Sequence, residues 1–370
     1  MSYSECLAQQ SAAALNWQGY SAAEVERVLE KAVITATDLP VLVSPAASSY
    51  ISQMAERSHW LTRQRFGANV QLFMPLYLSN LCTNICTYCG FSADAKVKRT
   101  WLRPQQLVEE IRCLNRKGVE HILLVSGEAE HKVGLDYFCE SLSMLRPHFA
   151  QLQLEAQPFD TSAYCRLADS NLDGVVVYQE TYNRQNYAKV HLSGLKTDFN
   201  WRLDTPDRVA AAGIEKIGLG ILLGLSDWRE DAVALGRHLQ YLQRKYWRQR
   251  YSLGFPRLRP FGTDYAIPNP VGDRDFVQLL VAMRLCFGDV EMVLSTRESR
   301  QLRDALLPLG ITHMSAESST QPGGYSGATP AALKQFDTDD MRSIEQIKDV
   351  IRGMSYQPLF ADQIPVRQLP

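Results

Sequence analysis

The sequence lacks any apolar run long enough to cross a bilayer. Its longest, near Ile217 to Leu225, is short and interrupted by glycine. The opening Met1-Ser-Tyr-Ser-Glu-Cys-Leu-Ala-Gln-Gln10 has neither a basic n-region nor an apolar h-region, so a secretory leader is not expected. A dominant charge is missing too. A formal net charge of −1 over 370 residues, with no long basic stripe, gives no reason to expect a polyanionic partner. Eight cysteines are too few for a disulfide framework in a chain this size. No internal repeat or low-complexity tract stands out. What remains is a 45% hydrophobic, 21% charged chain that can bury a full core as one large domain or two small ones. The expectation is a soluble, cytoplasmic protein.

Three of the cysteines lie within eight residues, in Asn80-Leu-Cys-Thr-Asn-Ile-Cys-Thr-Tyr-Cys-Gly-Phe91. Cys82, Cys86 and Cys89 can converge on one centre, and no fourth cysteine is near to complete it. A Cys-x3-Cys-x2-Cys loop points to a 4Fe–4S cluster with one iron left open for a small molecule. The motif resembles that of the radical S-adenosylmethionine (SAM) enzymes, in which SAM takes the open iron. A structural zinc knot prefers four closed ligands, usually as two short-spaced pairs. Here the nearest other thiol, Cys113, falls inside a predicted helix, and the nearest downstream histidine, His121, precedes an apolar strand. A dithiol redox site would leave Cys82 unexplained.

From residue 70 onward, short apolar runs alternate with amphipathic patterns. Strands are expected at Val70–Leu78, His121–Ser126, Leu152–Gln157, Gly174–Gln179, Ile217–Leu223, Tyr251–Leu258, Val290–Thr296 and Ile311–Ala316. Helices are expected at Arg103–Gly118, Leu135–Ala150, Thr161–Asn171, Thr205–Gly213, Asp227–Trp247, Asp275–Phe287 and Glu298–Leu309. Eight near-continuous apolar strands with seven interleaved helices fit a closed (β/α)8 TIM-type barrel, with a doubly wound open sheet as the alternative. Residues 1–65 read as an N-terminal helical extension packed outside or below the barrel, 66–327 as the barrel, and 328–370 as a C-terminal extension with a helix near Asp340–Met354. Cys6 falls in an expected mobile terminus. Cys113, Cys139, Cys165 and Cys286 fall in predicted helices, where they read as small buried hydrophobes.

Active sites of such barrels lie at the C-terminal ends of the strands. The polar residues there are therefore candidates. Ser126-Gly127-Glu128 ends the second strand and resembles the Gly-Gly-Glu-like element that holds the SAM ammonium in radical SAM enzymes; an ordinary strand-ending turn is the competing reading. Glu155 with Gln157, and Gln179 with Glu180, end the third and fourth strands, where they can bond the ribose or the methionine end of SAM or serve as packing and capping groups. Arg202 precedes a helix expected to be capped by Asp204 or Thr205, with Pro206 in its first turn. It offers a bidentate carboxylate contact or is a surface arginine. The glycine-rich fifth strand, Ile217-Gly-Leu-Gly-Ile-Leu-Leu-Gly224, suggests close approach of a flat adenine at Ile217, Gly218 and Leu222. Tyr88 is expected to pack on the SAM or substrate side of the cluster loop. Arg297 and Ser315, ending the last two strands, suit the carboxylate of an amino-acid substrate, unless Arg297 is tied to Glu298. Of Arg257 and Arg259 in Phe255-Pro-Arg-Leu-Arg-Pro260, one is expected at the mouth and one outside. The basic run Lys96-Val-Lys-Arg99 reads as a solvated loop, or as an attraction for an anionic electron donor.

Longer strings carry a closer resemblance. Leu76-Tyr-Leu-Ser-Asn-Leu-Cys82, Cys86-Thr-Tyr-Cys-Gly-Phe-Ser92, Lys132-Val-Gly-Leu-Asp-Tyr-Phe138, Val177-Tyr-Gln-Glu-Thr-Tyr182, Trp201-Arg-Leu-Asp-Thr-Pro-Asp-Arg208, Lys216-Ile-Gly-Leu-Gly220, Ser295-Thr-Arg-Glu298 and Thr320-Gln-Pro-Gly-Gly-Tyr325 are similar to the radical SAM tyrosine lyases of thiamine thiazole biosynthesis (the ThiH family). The likeness runs from about residue 15 to about 350, with conservative departures such as Ser126 in place of threonine. It implies a 4Fe–4S cluster, SAM, and cleavage of the Cα–Cβ bond of L-tyrosine to 2-iminoacetate and p-cresol, with 5′-deoxyadenosine and methionine formed. It also implies the thiazole synthase ThiG as a partner and a flavodoxin- or ferredoxin-type electron donor. Three rivals stand beside it. The hydrogenase maturase HydG carries a second cluster on C-terminal cysteines, whereas no cysteine follows Cys286 here. A related lyase would take tryptophan or another aromatic amino acid. A non-catalytic Fe–S or zinc scaffold is the reading from another class.

Overall fold

The computed structural model describes residues 1–8, 16–259, 264–327 and 334–360. Its strands in chain order are β1 (Asn69–Ser79), β2 (Ile85–Cys86), β3 (His121–Ser126), β4 (Gln151–Glu155), β5 (Gly174–Glu180), β6 (His191–Ser193), β7 (Lys216–Ile221), β8 (Arg250–Gly254), β9 (Glu291–Leu294), β10 (His313–Ser315) and β11 (Gln357–Leu359). Eight of them pair in parallel in the order β1-β3-β4-β5-β7-β8-β9-β10. β10 then returns to β1 through Gln71↔His313 and Phe73↔Ser315. That closure makes the sheet a barrel and removes the open-sheet alternative.

Strand alternation divides the side chains between two cores. In β1, Leu72, Met74, Leu76 and Leu78 pack outward into the layer shared with the helices. Phe73, Pro75 and Tyr77 line the barrel interior. The helix Pro104–Arg116 shows the matching logic: proline sits in its first turn, and Leu107, Ile111 and Leu114 recur on one buried face.

Several elements are shorter than their apolar patterns. The helix expected to reach Ala150 ends at Leu145, two residues before Pro147, which has no N–H to carry the ladder on. The strand expected to reach Leu258 stops at Gly254, just before Pro256 would leave the ladder without a donor. Other elements carry no clear pattern at all. β2 and β6 form a two-stranded antiparallel ribbon beside the cluster loop. β11 adds in parallel to the start of β1, through Asn69↔Gln357.

The helix Ile51–Phe66 packs on Asp273–Cys286, outside the barrel. The first residues are not a mobile terminus. Tyr3–Ala8 is a helix in which Tyr3 is buried and stacked on His238 at 4.0 Å, and the Ser4 hydroxyl donates to Asp204 at 2.6 Å. Of the helical cysteines only Cys286 is buried; Cys113 and Cys139 are half-buried and Cys165 is exposed, so the expectation for those three is corrected. Residues 328–333 and 361–370 of the expected C-terminal extension lie outside the described residues, as does Pro260. The helix foreseen there runs Ile344–Gly353, opened by Ser343 and Gln346 as a capping box.

Candidate active site at the barrel mouth

The cluster loop leaves the C-terminal end of β1, so the fold carries its thiols to the mouth. Arg99 holds the loop in shape. Its guanidinium donates to the carbonyls of Asn80 at 2.7 Å and Phe91 at 2.8 Å, and also to those of Ser92 and Ala95. Only Lys96 and Lys98 of the basic run are exposed. Cys86 is buried and Cys82 and Cys89 are half-buried. Burial raises all three thiol pKa values, and each thiol also feels the negative charge of a neighbour. Such thiols stay protonated until a metal displaces the proton. Among the described residues no three His, Cys, Asp or Glu side chains gather on a single ion. A cubane asks for a different arrangement, one thiolate per iron, and a three-thiol loop at a cavity rim fits it.

Gly127 explains how β3 meets this loop. A Cβ there would stand 2.2 Å from the Leu81 carbonyl oxygen. The close approach expected at this glycine is thus made by the loop's own backbone, and the Gly127 N–H donates to Ser79 O at 3.0 Å. The Ser126 hydroxyl turns back to the Gly127 carbonyl at 2.8 Å.

Beyond the loop stand three carboxylates and three cations. Glu128 accepts from Arg202 at 2.9 Å and from the Asn84 amide at 2.7 Å. Burial alone would raise the Glu128 carboxyl; Arg202 and Lys196 outweigh it and hold the carboxyl below its ordinary range. Glu180 pairs with Lys196 at 2.7 Å and faces Arg202 at 3.8 Å. It sits at φ 69°, where the register slips between Tyr178 and Glu180. A non-glycine residue held there marks a strained site, and strain of this kind collects at functional positions. Arg202 is neither a surface group nor a free carboxylate holder. Its Nε donates to the Tyr178 carbonyl at 2.7 Å, and its remaining donors brace the two glutamates. The helix after it starts at Thr205 with Pro206 in its first turn, as expected, while Asp204 binds the N-terminal helix instead of capping.

The third carboxylate behaves differently. Glu155 lines both the barrel cavity and the mouth pocket beside Cys89, yet no hydrogen bond or ion pair joins its carboxylate to a described residue. Burial and the charge of Glu180 raise its carboxyl to about 7, against the pull of Arg297, Arg202 and Lys196. Arg297 borders the same two spaces, with its guanidinium 3.5 Å over the Phe336 ring. It is not tied to Glu298, whose carboxylate is taken by Arg257. Ser315 accepts from the Thr296 N–H at 3.0 Å and so fixes the turn that presents Arg297. Arg259, at the mouth, pairs with Asp339 at 2.8 Å; Arg257 reaches outward to Asp273 at 2.7 Å.

Three candidates sit away from the mouth pocket beside Cys89. Gln179 alternates away from the mouth and donates to the Phe199 carbonyl at 3.4 Å. Ile217 and Gly218 begin β7, far from its mouth end, and are paired on both sides with β5 and β8. Their peptide groups are held in the ladder, and Gly218 also lines the barrel cavity. The neighbouring glycines serve packing: a Cβ on Gly220 would meet the Tyr178 ring at 2.6 Å, and one on Gly254 would meet its hydroxyl at 2.1 Å. Leu222, after the strand, does line the mouth beside Tyr88, whose hydroxyl bonds His191 at 2.9 Å.

Four contributors escape the sequence patterns. Asn84 and Lys196 bring the cluster loop and the ribbon to the acids. Gln335 and Phe336 arrive from the C-terminal segment; the Tyr77 hydroxyl donates to Gln335 at 2.6 Å. Asn84 lay within the cysteine motif and was its one readable signal.

Residues 76–236 match the model of the radical SAM superfamily, and residues 254–357 match the Biotin and Thiamin Synthesis associated domain. The 2-iminoacetate synthase of Escherichia coli K12 is 48% identical over 94% of this chain and 92% of its own. The chain belongs to the 2-iminoacetate synthase family. Its counterpart in Salmonella typhimurium LT2 is 46% identical over the same shares of both chains. The crystal structure of HydG, a maturase of the [FeFe]-hydrogenase, superposes with a TM-score of 0.88 at 27% identity, covering 93% of this chain and 78% of that one. Members of the family are radical SAM lyases with a (β/α)8 barrel, as this chain has. Among the described residues no helix is long and apolar enough to cross a membrane.

Proposed function

We propose that the chain cleaves the Cα–Cβ bond of L-tyrosine, giving 2-iminoacetate and p-cresol for thiamine thiazole biosynthesis. The observation that carries this reading is a three-thiol loop whose Cys89 lines the same pocket as Arg297, an arginine with no ion pair among the described residues, in a chain of this family. Cys82, Cys86 and Cys89 would hold a 4Fe–4S cluster, and Tyr88, Glu180 and Leu222 would border the SAM beside it. When bound, this pair of cofactors supplies a 5′-deoxyadenosyl radical. The protein's own share is orientation and exclusion of water. Arg297 would anchor the tyrosine carboxylate from a turn fixed by Ser315, with Phe336 shielding its other face. Glu128, braced by Arg202 and Asn84, would meet the SAM ammonium.

The family further implies a flavodoxin- or ferredoxin-type donor, transfer of the iminoacetate to the thiazole synthase ThiG, and a cytoplasmic setting. Anaerobically reconstituted protein, reduced with dithionite and given SAM and tyrosine, should yield 5′-deoxyadenosine and p-cresol by mass spectrometry. An indolic product from tryptophan would transfer the chain to another substrate. A colourless, zinc-loaded protein that leaves SAM intact would overturn the reading.

A further inference from the structure

The mouth holds one carboxylate and one guanidinium that the protein leaves unspent. Glu128 and Glu180 are both paired, with Arg202 and Lys196. Glu155 is paired with neither, and among the described residues Arg297 has the Phe336 ring over its guanidinium and no ion pair, acting on Glu155 only through space. Both line the same cavity, and both also line the pocket that reaches Cys89. Holding a charge out of water without a partner is costly, so two opposite ones facing one space ask for a ligand that carries both complements. An α-amino acid is such a ligand: a carboxylate and an ammonium on one carbon.

We infer that Glu155 belongs to the substrate and not to the cofactor: it binds the ammonium of the amino acid whose carboxylate Arg297 holds, and accepts one of its protons. The transfer balances simply, RNH3⁺ and carboxylate giving RNH2 and carboxylic acid, with no other reactant. It leaves a neutral amine, with its lone pair, in the space that reaches the thiol loop at Cys89. The charged groups acting on Glu155 are Glu180, Arg297, Arg202 and Lys196, with the Tyr77 and Tyr178 hydroxyls also near. An acid raised to about 7 among them is matched to such an exchange near neutral pH. This inference rests on the tyrosine reading and deepens it.

The test is equilibrium binding of tyrosine and of 3-(4-hydroxyphenyl)propionate, which lacks the amino group, to the reconstituted protein with SAM present. The wild type should prefer tyrosine by roughly 30-fold or more. Glu155→Gln should bring the two ligands to within a few-fold, while iron content and SAM binding stay at wild-type levels. The pH profile of kcat/KM should lose its limb near neutrality in the same variant. Arg297→Lys separates the two ends: it should weaken both carboxylates and keep the preference for the amine. A Glu155→Gln protein that retains the full preference for tyrosine overturns the assignment. If the wild type forms no p-cresol, the tyrosine reading fails instead.

Discussion

The two walls of the barrel mouth are built from the same residue types and used in opposite ways. On the wall of Glu128, Arg202, Lys196 and Glu180, each carboxylate has a cation or amide within hydrogen-bond reach. On the wall of Glu155 and Arg297, neither charge has a partner within ion-pair distance among the described residues. A paired wall is a scaffold, since its electrostatic cost is met internally whether or not a ligand is present. An unpaired wall is a site, because a ligand can meet the part of its cost that through-space attraction leaves.

The largest test of this contrast lies at the rim that both walls share. Replacing any one of Cys82, Cys86 and Cys89 by alanine should abolish the 4Fe–4S absorbance of reconstituted protein and all SAM cleavage. Far-ultraviolet circular dichroism should stay unchanged, because the closed barrel does not depend on the loop. Retention of a full cluster by a two-cysteine variant would break the assignment of the rim.

Next in size is the paired wall itself. Arg202→Met removes the cation between Glu128 and Glu180 and leaves two partly buried carboxylates short of charge. It should cost about 3–5 kcal/mol in denaturant unfolding. Arg297→Met, on the other wall, should cost little or nothing in the same assay, because it breaks no ion pair to a described residue. Equal losses in the two variants would show that the walls are not distinct.

How far the two walls were legible follows the same line. The barrel could be read from apolar runs such as His121–Ser126, since a strand buried on both faces writes its own length into the sequence. The thiols were legible because spacing alone defines the motif. Glu128, Glu155, Glu180 and Arg297 were legible as mouth residues, since each ends a strand or follows one, whereas Arg202 was legible only as a residue before a helix. Which was paired with which was not. That depends on Lys196, brought in by an antiparallel ribbon of a few residues, and on Phe336, brought from far along the chain. The glycines of β7 were ambiguous for a related reason: one cleared for a neighbouring ring, as Gly220 is for Tyr178, looks in sequence like one cleared for a ligand.

A third test uses pH to give the two walls opposite signs. The Glu128 carboxyl lies below its ordinary value in the folded protein, so it contributes stability that is present above pH 4.5 and is lost as pH falls. The Glu155 carboxyl lies above its ordinary value, at about 7, so folding favours its protonated form and its cost grows as pH rises from 4.5 through 7. Glu155→Gln should therefore be more stable than wild type at pH 8, by about 1–3 kcal/mol, with the gain gone below pH 4.5. Glu128→Gln should be less stable than wild type at pH 8. Stability curves of the same sign for both variants would sink the distinction.

The smallest effect belongs to Phe336, whose ring covers one face of the Arg297 guanidinium at 3.5 Å. A cation over an aromatic face gains about 0.5–1 kcal/mol, and somewhat more when water is excluded. Phe336→Leu keeps the apolar cover but removes the ring's negative face. It should raise KM for tyrosine two- to five-fold, the factor that about 0.5–1 kcal/mol gives, with kcat and cluster content unchanged. The reason for that split is positional: the ring touches the group that holds the substrate carboxylate, while the thiols lie across the mouth. A fall in kcat without a change in KM would instead make Phe336 part of the machinery that orients the reacting bond, and the unpaired wall would then do more than bind.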